Sequence, residues 1–441
     1  MSFLKLFKQS IRESPAKVLL LTAIAATSAA PVLFVTYPEP EFRLVIYKLL
    51  AKCGSLAGTV LLAWQLLLGF RGAVPWLMTD LIWVIELHKK LGVLAAVLIL
   101  FHPVFISLYY LDTYGFVPLV WQFDADFDTW VMLGQIALVV LLVVALTSVW
   151  FRSRLTFSTW RLIHLTSYLI LPLVIVHSLP IGQTLGTSPL RLGWYALIAA
   201  FALFYIYRAL VRAGLFTRPY EVVRADPVAE NVVEIQMKPL KKQLKPFIAQ
   251  FIYFRRTSLS SVHPYTVSRY DTNTGLLAIT VKALGDASTQ MQKVQIGERV
   301  RLDGPYGIFT REAHETGRPL VMMAGGIGIT PFIRLVEKIE KDHHREAYLF
   351  YANRFRKDIA YKQELDSLKH VKVVHVLSDE PVYEGEKGFA TLDLVKKYLD
   401  HPVLECEYLI CGPTPMIVML EENLLDAGLP PAQIHHELFA Y

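Results

Sequence analysis

Long apolar runs dominate the first half of the chain and disappear after Arg218. Because a membrane-spanning helix needs about 20 apolar residues, six stretches in this half are long enough to cross a bilayer. These stretches cover residues 18–36, 53–70, 84–110, 130–151, 160–181 and 192–213. The pattern predicts a six-helix transmembrane bundle within residues 1–215, followed by a soluble portion.

The soluble portion shows two successive patterns. Between Tyr220 and about Phe309, short segments rich in β-branched and aromatic residues alternate with turn signals, which predicts an antiparallel β-barrel domain over residues 216–316. From Leu320 onward, buried strands such as PLVMMAGG and YLICGP alternate with helical segments. That alternation predicts an α/β, Rossmann-like domain over residues 317–441.

Composition agrees with a membrane protein, since 54% of the residues are hydrophobic and the mean hydropathy is +0.40. The net charge of +6 comes largely from basic residues that flank the apolar runs, so membrane orientation explains it without a nucleic-acid partner. Three scattered cysteines are too few for a disulfide framework or a zinc site. We expect the lipid bilayer as a partner, no nucleic acid and no obligatory protein partner.

The distribution of cations predicts the orientation of the bundle. One set of helix ends carries most of them, at Lys5, Lys8, Arg12, Lys17, Arg71, Lys89, Lys90, Arg152, Arg154, Arg161, Arg208, Arg212 and Arg218. The alternate loops are acidic at Asp112, Asp124, Asp126 and Asp128, with Arg43, Lys48, Lys52 and Arg191 as exceptions. The positive-inside rule then predicts an integral protein of the cell inner membrane, with both termini and the soluble portion in the cytoplasm.

The first apolar run has a second interpretation, as a signal peptide. It follows basic residues and contains the small-residue patch Ala25–Ala30, which suits a cleavage site. The run continues past that patch to Val35, so its length favours a retained helix.

Four of the 13 histidines lie in the apolar half and form two pairs. His88 and His102 are 14 residues apart on the third predicted helix, and His164 and His177 are 13 apart on the fifth. Each separation spans roughly 20 Å, about two-thirds of the hydrocarbon core. His88 then matches His164 in depth, and His102 matches His177, so each pair can hold one haem iron between two imidazoles. The prediction is two haem b groups, one near each membrane surface.

Helical phase suits the first of these helices better than the second. Fourteen residues return a side chain to within about 40° of its starting direction, whereas thirteen leave it about 140° away. Pro172 lies between the two histidines of the fifth helix, and a bend there would restore the alignment. The alternatives to haem ligation are that the four histidines are structural polar residues or that they form a proton relay. A relay usually includes carboxylates, and only Glu86 lies near the inner end.

The two histidine-bearing helices resemble a known family. The segments ELHKKLGVLAAVLILFHP and TWRLIHLTSYLILPLVIVHS are similar to the ferric-reductase-like transmembrane domain that NADPH oxidases and ferric-chelate reductases share. Two histidines on each of two helices are the most specific mark of that domain. With the soluble portion included, the resemblance to prokaryotic NADPH oxidase-like proteins covers essentially the whole chain.

The soluble portion resembles the ferredoxin-NADP reductase superfamily, and three motifs carry that resemblance. The first is HPYTVS, which supplies the candidate flavin contacts His263, Pro264, Tyr265, Thr266 and Ser268. The resemblance implies that Tyr265 packs on the flavin of FAD and that the Thr266 hydroxyl faces its reactive edge. Ordinary sheet packing is the alternative for a Tyr-Thr pair in a strand.

The second motif is VKALGDAST, with Val281, Gly285, Ser288 and Thr289 as candidate contacts to FAD. Gly285 permits a tight turn, and Ser288 or Thr289 can cap the helix that begins TQMQKV. Backbone N–H groups at such a helix start suit the FAD pyrophosphate. The alternative is a capped helix without a ligand.

The third motif, AGGIGITPF, follows a buried strand and opens a helix, as in dinucleotide-binding domains. The candidate nucleotide contacts, including those in CGPTPM on a later strand, are Gly325, Gly326, Gly328, Thr330, Pro331, Cys411, Gly412 and Pro413. The resemblance implies that Cys411 lies near the nicotinamide, whereas a small buried hydrophobe is the alternative. It also implies a C-terminal aromatic over the flavin, for which we favour Phe439 over Tyr441.

A basic turn bears on the choice of nucleotide. Arg354, Arg356 and Lys357 can pair with a 2′-phosphate, which favours NADPH over NADH, or they form a solvated turn. The resemblance implies hydride transfer from NADPH to FAD, followed by single-electron transfer through both haems. Catalytic roles then fall to Thr266 and Cys411, with Phe439 moving aside for the nicotinamide.

Two histidines per iron leave no open coordination site, which favours one-electron products formed at the haem edge. The first hypothesis is an NADPH oxidase-like enzyme that makes superoxide from O2 on the outer face. The second is a ferric-chelate reductase with the same electron path and ferric iron as acceptor. The third is a membrane-anchored flavin reductase without haem, which serves a partner protein or a quinone.

Overall fold

A computed structural model of the chain divides into two compact units, Met1–Ala209 and Leu210–Tyr441. The structure describes residues 15–70, 81–120, 126–256, 262–310, 313, 316–343 and 345–438. The domain boundaries expected after residues 215 and 316 stay predictions.

Among the described residues, six helical segments are long and apolar enough to cross a membrane, which confirms the predicted six-helix bundle. The first three are α1 (Pro15–Ala29), α2 (Phe42–Lys52) joined by a π turn to α3 (Gly58–Leu68), and α4 (Leu81–Tyr114). The others are α5 (Asp126–Val149), α6 (Phe157–Leu165) joined to α7 (Ile170–Ile181), and α9 (Leu190–Arg212), which follows the short α8 (Gln183–Thr187).

The second span begins at Phe42, whereas the sequence pattern placed its start at residue 53. The cations in α2 interrupt the apolar pattern there. One of them is neutralised within the fold, because Lys48 Nζ lies 2.5 Å from Glu39 Oε1 and both side chains are almost fully buried. The Tyr109 hydroxyl also donates to Glu39 Oε1 at 3.2 Å. A local count of apolar positions could not show that Lys48 pairs with Glu39, which lies outside the helix, or that Tyr109 donates to the same carboxylate.

Small residues bring the second span close to α4. A Cβ atom on Gly54 would lie 2.5 Å from the His102 backbone nitrogen, and one on Gly58 would lie 2.6 Å from Ile99 Cγ1. Gly54 belongs to the π turn Cys53–Ala57 between α2 and α3. Close helix approach through small residues is typical of membrane bundles, and here it fixes the backbone around His102.

The second unit begins with a closed antiparallel barrel, as predicted. Its strands, in the spatial order β1-β2-β5-β4-β3-β6, surround an apolar core that includes Tyr220, Ile235 and Phe254. The strands are β1 (Arg218–Ala229), β2 (Val232–Pro239), β3 (Phe251–Arg255), β4 (His263–Tyr270), β5 (Leu277–Lys282) and β6 (Arg299–Tyr306), with α10 (Asp286–Met291) before β6.

A six-stranded parallel sheet in the order β10-β9-β8-β7-β11-β12 completes the unit and confirms the predicted nucleotide-binding fold. Its strands are β7 (Leu320–Gly325), β8 (Ala347–Asn353), β9 (Val371–Leu377), β10 (Glu386–Lys387), β11 (Glu407–Gly412) and β12 (Ile434–Leu438). The helices are α11 (Thr330–Asp342), α12 (Lys362–Asp366), α13 (Leu392–Tyr398) and α14 (Thr414–Asp426). All residues of β7 and β11 are buried, as expected for parallel strands covered on both faces.

One guanidinium joins the barrel to the parallel sheet. Arg269, on β4, contacts Glu234 of the barrel at 3.0 Å, Glu337 of α11, and Glu364 of α12 at 2.5 Å. The Tyr361 hydroxyl donates to Glu234 Oε2 at 2.6 Å. This cluster ties the strand that carries the HPYTVS motif to two helices of the nucleotide-binding domain.

Candidate functional site

The four histidines of the bundle come together in two pairs. The imidazole centroids of His88 and His164 lie 6.1 Å apart, with their planes at 75°. Those of His102 and His177 lie 6.3 Å apart, with their planes at 73°. In each pair α4 supplies one histidine and the α6–α7 segment supplies the other.

These separations fit one iron between two imidazoles. An imidazole nitrogen binds a metal at about 2 Å and lies about 1 Å from its own ring centroid, so two axial rings on one iron have centroids about 6 Å apart. Both measured separations match this value. The donor set and its spacing therefore fit two bis-histidine haems.

The Nδ1 atom of each histidine is held by a polar partner. The contacts are His88 to Gln65 O at 3.2 Å, His102 to Ala51 O at 3.3 Å, His177 to Trp130 O at 2.8 Å and His164 to Ser148 Oγ at 3.2 Å. A carbonyl oxygen can only accept, so a proton on Nδ1 of His102 and of His177 satisfies their carbonyl contacts and leaves Nε2 as the metal ligand. His88 Nδ1 also lies 2.9 Å from the side-chain amide nitrogen of Gln65. The orientation of the rings is thus suited to axial ligation.

A 3₁₀ turn at Thr166–Leu169 reduces the phase mismatch between the two histidines of the fifth span. A 3₁₀ helix turns about 20° more per residue than an α-helix, so four residues reduce the mismatch from about 140° to about 60°. The break precedes Pro172, which has no N–H to donate to the carbonyl of Tyr168. The hydroxyl of Tyr205 donates to that carbonyl instead, at 2.8 Å.

Two glycines that the sequence did not single out lie against the histidine rings. A Cβ atom on Gly134 would come within 2.7 Å of His177 Cε1, and one on Gly69 within 3.1 Å of His88 Cε1. Neither glycine belongs to a motif, so only the packing of α3 and α5 against the rings reveals their role. Any side chain at Gly134 would displace the His177 ring.

A cavity of about 280 Å³ surrounds His102 and His177; its lining is mostly apolar, with a few polar side chains that include Lys52. Two side-chain oxygens on its wall, Ser107 Oγ and Gln135 Oε1, are buried and find no hydrogen-bond partner among the described residues. Buried polar atoms are almost always paired, so this wall is suited to a polar group of a cofactor or acceptor.

The HPYTVS strand, β4, presents one hydroxyl with the properties of a flavin contact. Thr266 is buried, and its Oγ1 has no hydrogen-bond partner within the described part of the chain. Tyr265 packs edge-on against Phe254, with centroids 6.4 Å apart, and burial raises the pKa of Tyr265 to about 12. Ser268 is fully buried, and its hydroxyl accepts from Thr280 Oγ1 at 3.0 Å. The fit to FAD therefore rests on Thr266, while the Ser268 hydroxyl is engaged inside the barrel.

The helix in the second motif starts earlier than expected. α10 begins at Asp286, so Ser288 and Thr289 lie inside its first turns instead of capping a helix that begins at residue 289. The Ser288 hydroxyl folds back and accepts from the backbone N–H groups of Leu284 at 2.9 Å and Gly285 at 3.1 Å. The Val281 carbonyl accepts from the Gln292 amide at 2.9 Å.

Packing against β11 requires two of the three glycines in the nucleotide loop. A Cβ atom on Gly328 would lie 2.2 Å from Cys411 O, and one on Gly325 would lie 2.7 Å from Pro413 Cδ. Gly326 has a φ of +54°, and a Cβ atom on it would meet nothing within 4 Å. Thr330 and Pro331 open α11, as predicted. Gly326 is therefore the position at which a dinucleotide can approach the backbone most closely.

A buried carboxyl, absent from the candidates drawn from the sequence, adjoins Cys411. Glu437 on β12 is paired in register with Cys411 on β11. Glu437 is only 2% exposed, its Oε2 has no hydrogen-bond partner among the residues that the structure describes, and burial raises its pKa to about 8. Burial, with the nearby Glu437, also raises the pKa of the Cys411 thiol. The signal in the sequence that could have indicated this site was a glutamate within the C-terminal strand. The predicted flavin-stacking residues Phe439 and Tyr441 lie outside the described residues.

Carboxylates engage two of the three cations proposed for a 2′-phosphate. Arg354 Nε lies 2.7 Å from Asp379 Oδ2, and Lys357 Nζ lies 2.7 Å from Glu230 Oε2. The Arg356 guanidinium lies over the Tyr383 ring, 5.6 Å from its centroid. A bound 2′-phosphate would compete with these partners, which reduces the advantage of NADPH over NADH.

Three known protein families account for successive parts of the chain. The ferric reductase like transmembrane component matches residues 54–175, an FAD-binding domain matches residues 218–310, and the oxidoreductase NAD-binding domain matches residues 322–422. The chain has the domain architecture of the NADPH oxidase and ferric reductase family. The chain therefore combines a ferric-reductase-like membrane component, whose six long apolar helices are consistent with a lipid bilayer, with an FAD-binding domain and an oxidoreductase NAD-binding domain.

Proteins similar to part of this chain include NADH-cytochrome b5 reductase 1 from two fungi. The Pyricularia oryzae protein is 30% identical over 42% of this chain and 64% of its own length. The Candida glabrata protein is 32% identical over 36% of this chain and 59% of its own length. The chain thus spans about three-fifths of the length of these relatives. A flavohemoglobin structure from Malassezia yamatoensis has 21% identity and a TM-score of 0.48, covering 94% of this chain and 99% of its own.

Proposed function

We propose that this chain transfers electrons from cytoplasmic NADPH, through FAD and two bis-histidine haems, to O2 on the outer face of the membrane. One NADPH and two O2 would give NADP⁺, one proton and two superoxide ions. The observation that carries the proposal is the pair of imidazole separations, 6.1 Å and 6.3 Å, in two places along the same two spans. Both separations suit an iron with two axial histidines.

The residues of the chain would bind and orient these groups. When bound, FAD accepts a hydride from the nicotinamide, and the haems relay single electrons. The unpaired Thr266 hydroxyl would face the flavin, while Cys411 and Glu437 would line the nicotinamide side. Because its pKa is about 8, Glu437 would stay mostly protonated near neutral pH and place no full negative charge beside the transferred hydride.

The cavity around His102 and His177 would hold the outer haem and leave its edge open to the acceptor. Two histidine ligands exclude a bound acceptor from the iron, so electron transfer at the edge suits a one-electron product. Lys52 lines this cavity and would favour an anionic product such as superoxide, whereas Lys48, which also lines it, is paired with Glu39.

Ferric-chelate reduction is the second candidate function. Its support is the match of residues 54–175 to the ferric reductase like transmembrane component. The electron path would be the same, and only the acceptor at the outer haem would differ.

The acceptor is tested with the purified, haem-loaded chain and NADPH, by following cytochrome c reduction with and without superoxide dismutase. Loss of the signal with dismutase supports superoxide as the product. Turnover that dismutase leaves unchanged, together with Fe(II) formation from a ferric chelate, makes the ferric reductase the better description. Reduction of an external acceptor that survives in a His102→Ala variant would support a flavin reductase without a haem path.

The proposed orientation is tested in sealed vesicles. NADPH added outside should drive turnover in inverted inner-membrane vesicles and not in right-side-out vesicles. The reverse result would place the soluble unit outside the cytoplasm.

A further inference from the structure

His164 has a different environment from the other three histidines of the bundle. The Nδ1 atoms of His102 and His177 face backbone carbonyl oxygens, and that of His88 lies 3.2 Å from the Gln65 carbonyl and 2.9 Å from the Gln65 side-chain amide nitrogen. His164 Nδ1 instead lies 3.2 Å from the hydroxyl oxygen of Ser148. That hydroxyl belongs to a side chain near the end of α5, so, unlike a carbonyl, it can be removed by substitution.

A tryptophan holds both the ring and the hydroxyl in place. The Trp160 ring stacks on the His164 ring, with centroids 4.9 Å apart and planes at 25°. The indole Nε1–H donates to Ser148 Oγ at 3.3 Å. On the loop after α5, the guanidinium carbon of Arg152 lies 4.8 Å from the centroid of the Trp160 ring. Arg152, Trp160 and Ser148 therefore form a connected support for one histidine.

We propose that Ser148, oriented by Trp160, is a positioning residue that sets the reduction potential of the haem held by His88 and His164. The proposal rests on the proposed function, because it assumes that His164 binds iron. With Nε2 on iron, Nδ1 carries a proton and donates it to Ser148 Oγ, which has two lone pairs and also accepts from Trp160.

The direction of the effect follows from the donor strength of the imidazole. A hydrogen bond accepted from Nδ1–H makes the ring a stronger donor to the metal and favours the ferric state. Removing the Ser148 hydroxyl weakens that donation, so the midpoint potential of this haem should rise. The haem at His102 and His177 has carbonyl partners on both ligands and should keep its potential.

The test is a spectroelectrochemical titration of the purified, haem-loaded full chain. Ser148→Ala should shift the midpoint of one haem upward and leave the other unchanged. Ser148→Thr keeps a hydroxyl and should retain the wild-type values. The neighbouring Thr147→Ala is the matched control, because the Thr147 hydroxyl donates to its own helix at Val143 O and contacts neither histidine pair.

A second variant separates the hydroxyl from the stacked ring. Trp160→Phe keeps an aromatic ring beside His164 but deletes the N–H group, and it should shift the same haem by less than Ser148→Ala does. Wild-type potentials in both Ser148→Ala and Trp160→Phe, or equal shifts of both haems, would overturn the assignment. A wild-type chain without haem would instead overturn the proposed function, and its absorption spectrum shows this before any titration.

Discussion

The six-span bundle and the soluble unit, Leu210–Tyr441, both expose large apolar side chains, but the residues next to those side chains differ. On α9, Leu192, Leu203 and Ile206 are 71%, 67% and 57% exposed and belong to one continuous apolar helix. In the soluble unit, Phe389 is 74% exposed and follows a polar stretch. Lipid chains are as apolar as leucine, so the bilayer solvates the first surface, whereas water solvates the second.

Two buried carboxyl groups, Glu39 in the first unit and Glu437 in the second, lie in different surroundings. Burial alone would raise the pKa of Glu39, but its hydrogen bond with Lys48 lowers that pKa, so the carboxylate stays charged. Glu437 has no such partner, and burial raises its pKa to about 8. A paired carboxylate thus supports the fold next to the bundle, while a neutral acid lies beside Cys411 in the nucleotide-binding domain.

The largest predicted effect is the pH dependence that Glu437 gives to stability. Its pKa is raised from 4.5 to about 8 on folding, so the unfolded state gains stability from ionisation as pH rises through that interval. Each pKa unit is worth about 1.4 kcal/mol, which makes the total several kcal/mol.

Glu437→Gln mimics the protonated acid and tests this linkage. The free energy of unfolding of wild type relative to the variant should fall between pH 4.5 and about 8 and then level off. Thermal unfolding of the full chain in detergent, followed by flavin fluorescence, measures the difference. A difference that is constant across this range would contradict a neutral Glu437.

Charge substitutions test whether lipid solvates the exposed face of α9. Leu203→Arg should reduce membrane insertion by about 3 kcal/mol, because a cation then lies near the centre of the span. Phe389→Arg is the matched control and should change stability by less than about 0.5 kcal/mol, because that side chain already faces water. The measurements are insertion yield and thermal stability; equal tolerance of both variants would remove the distinction between the surfaces.

Arg269 should matter more than an ordinary surface arginine. Arg269→Met leaves three carboxylates without their shared partner and should destabilise the soluble unit by about 2–3 kcal/mol. This loss of stability is smaller than that expected for breaking a fully buried ion pair, because the Arg269 side chain is 29% exposed. Arg224→Met, which breaks the exposed contact with Asp226, should cost under about 1 kcal/mol. Equal melting temperatures for the two variants would show that the Arg269 cluster does not join the two domains.

The smallest predicted effect concerns nucleotide choice. Arg354→Ala should raise the KM for NADPH by only about fivefold, because Asp379 already engages this exposed guanidinium. The KM for NADH is the internal control and should not change. A parallel rise in both KM values would show that Arg354 acts on the fold or on the shared part of the nucleotide.

Local patterns in the sequence predicted the six spans, the barrel and the parallel sheet, because hydrophobic period and length specify these elements directly. They missed the α2 start at Phe42, where Lys48 is neutralised by a residue nine positions away. They also missed Gly134 and Ser148, whose roles arise only when α5 packs against the α6–α7 segment that carries His164 and His177. The sequence patterns did not indicate Glu437, because its burial depends on the pairing of β12 with β11.

The haem content of the purified chain tests the central claim most directly. Wild type should contain two haem b groups per FAD, and the double variant His102→Ala/His177→Ala should retain one that NADPH still reduces. The same double variant should deliver no electrons to an acceptor on the outer side. A wild-type chain without haem, or a double variant with unchanged haem content, would contradict the two-haem path.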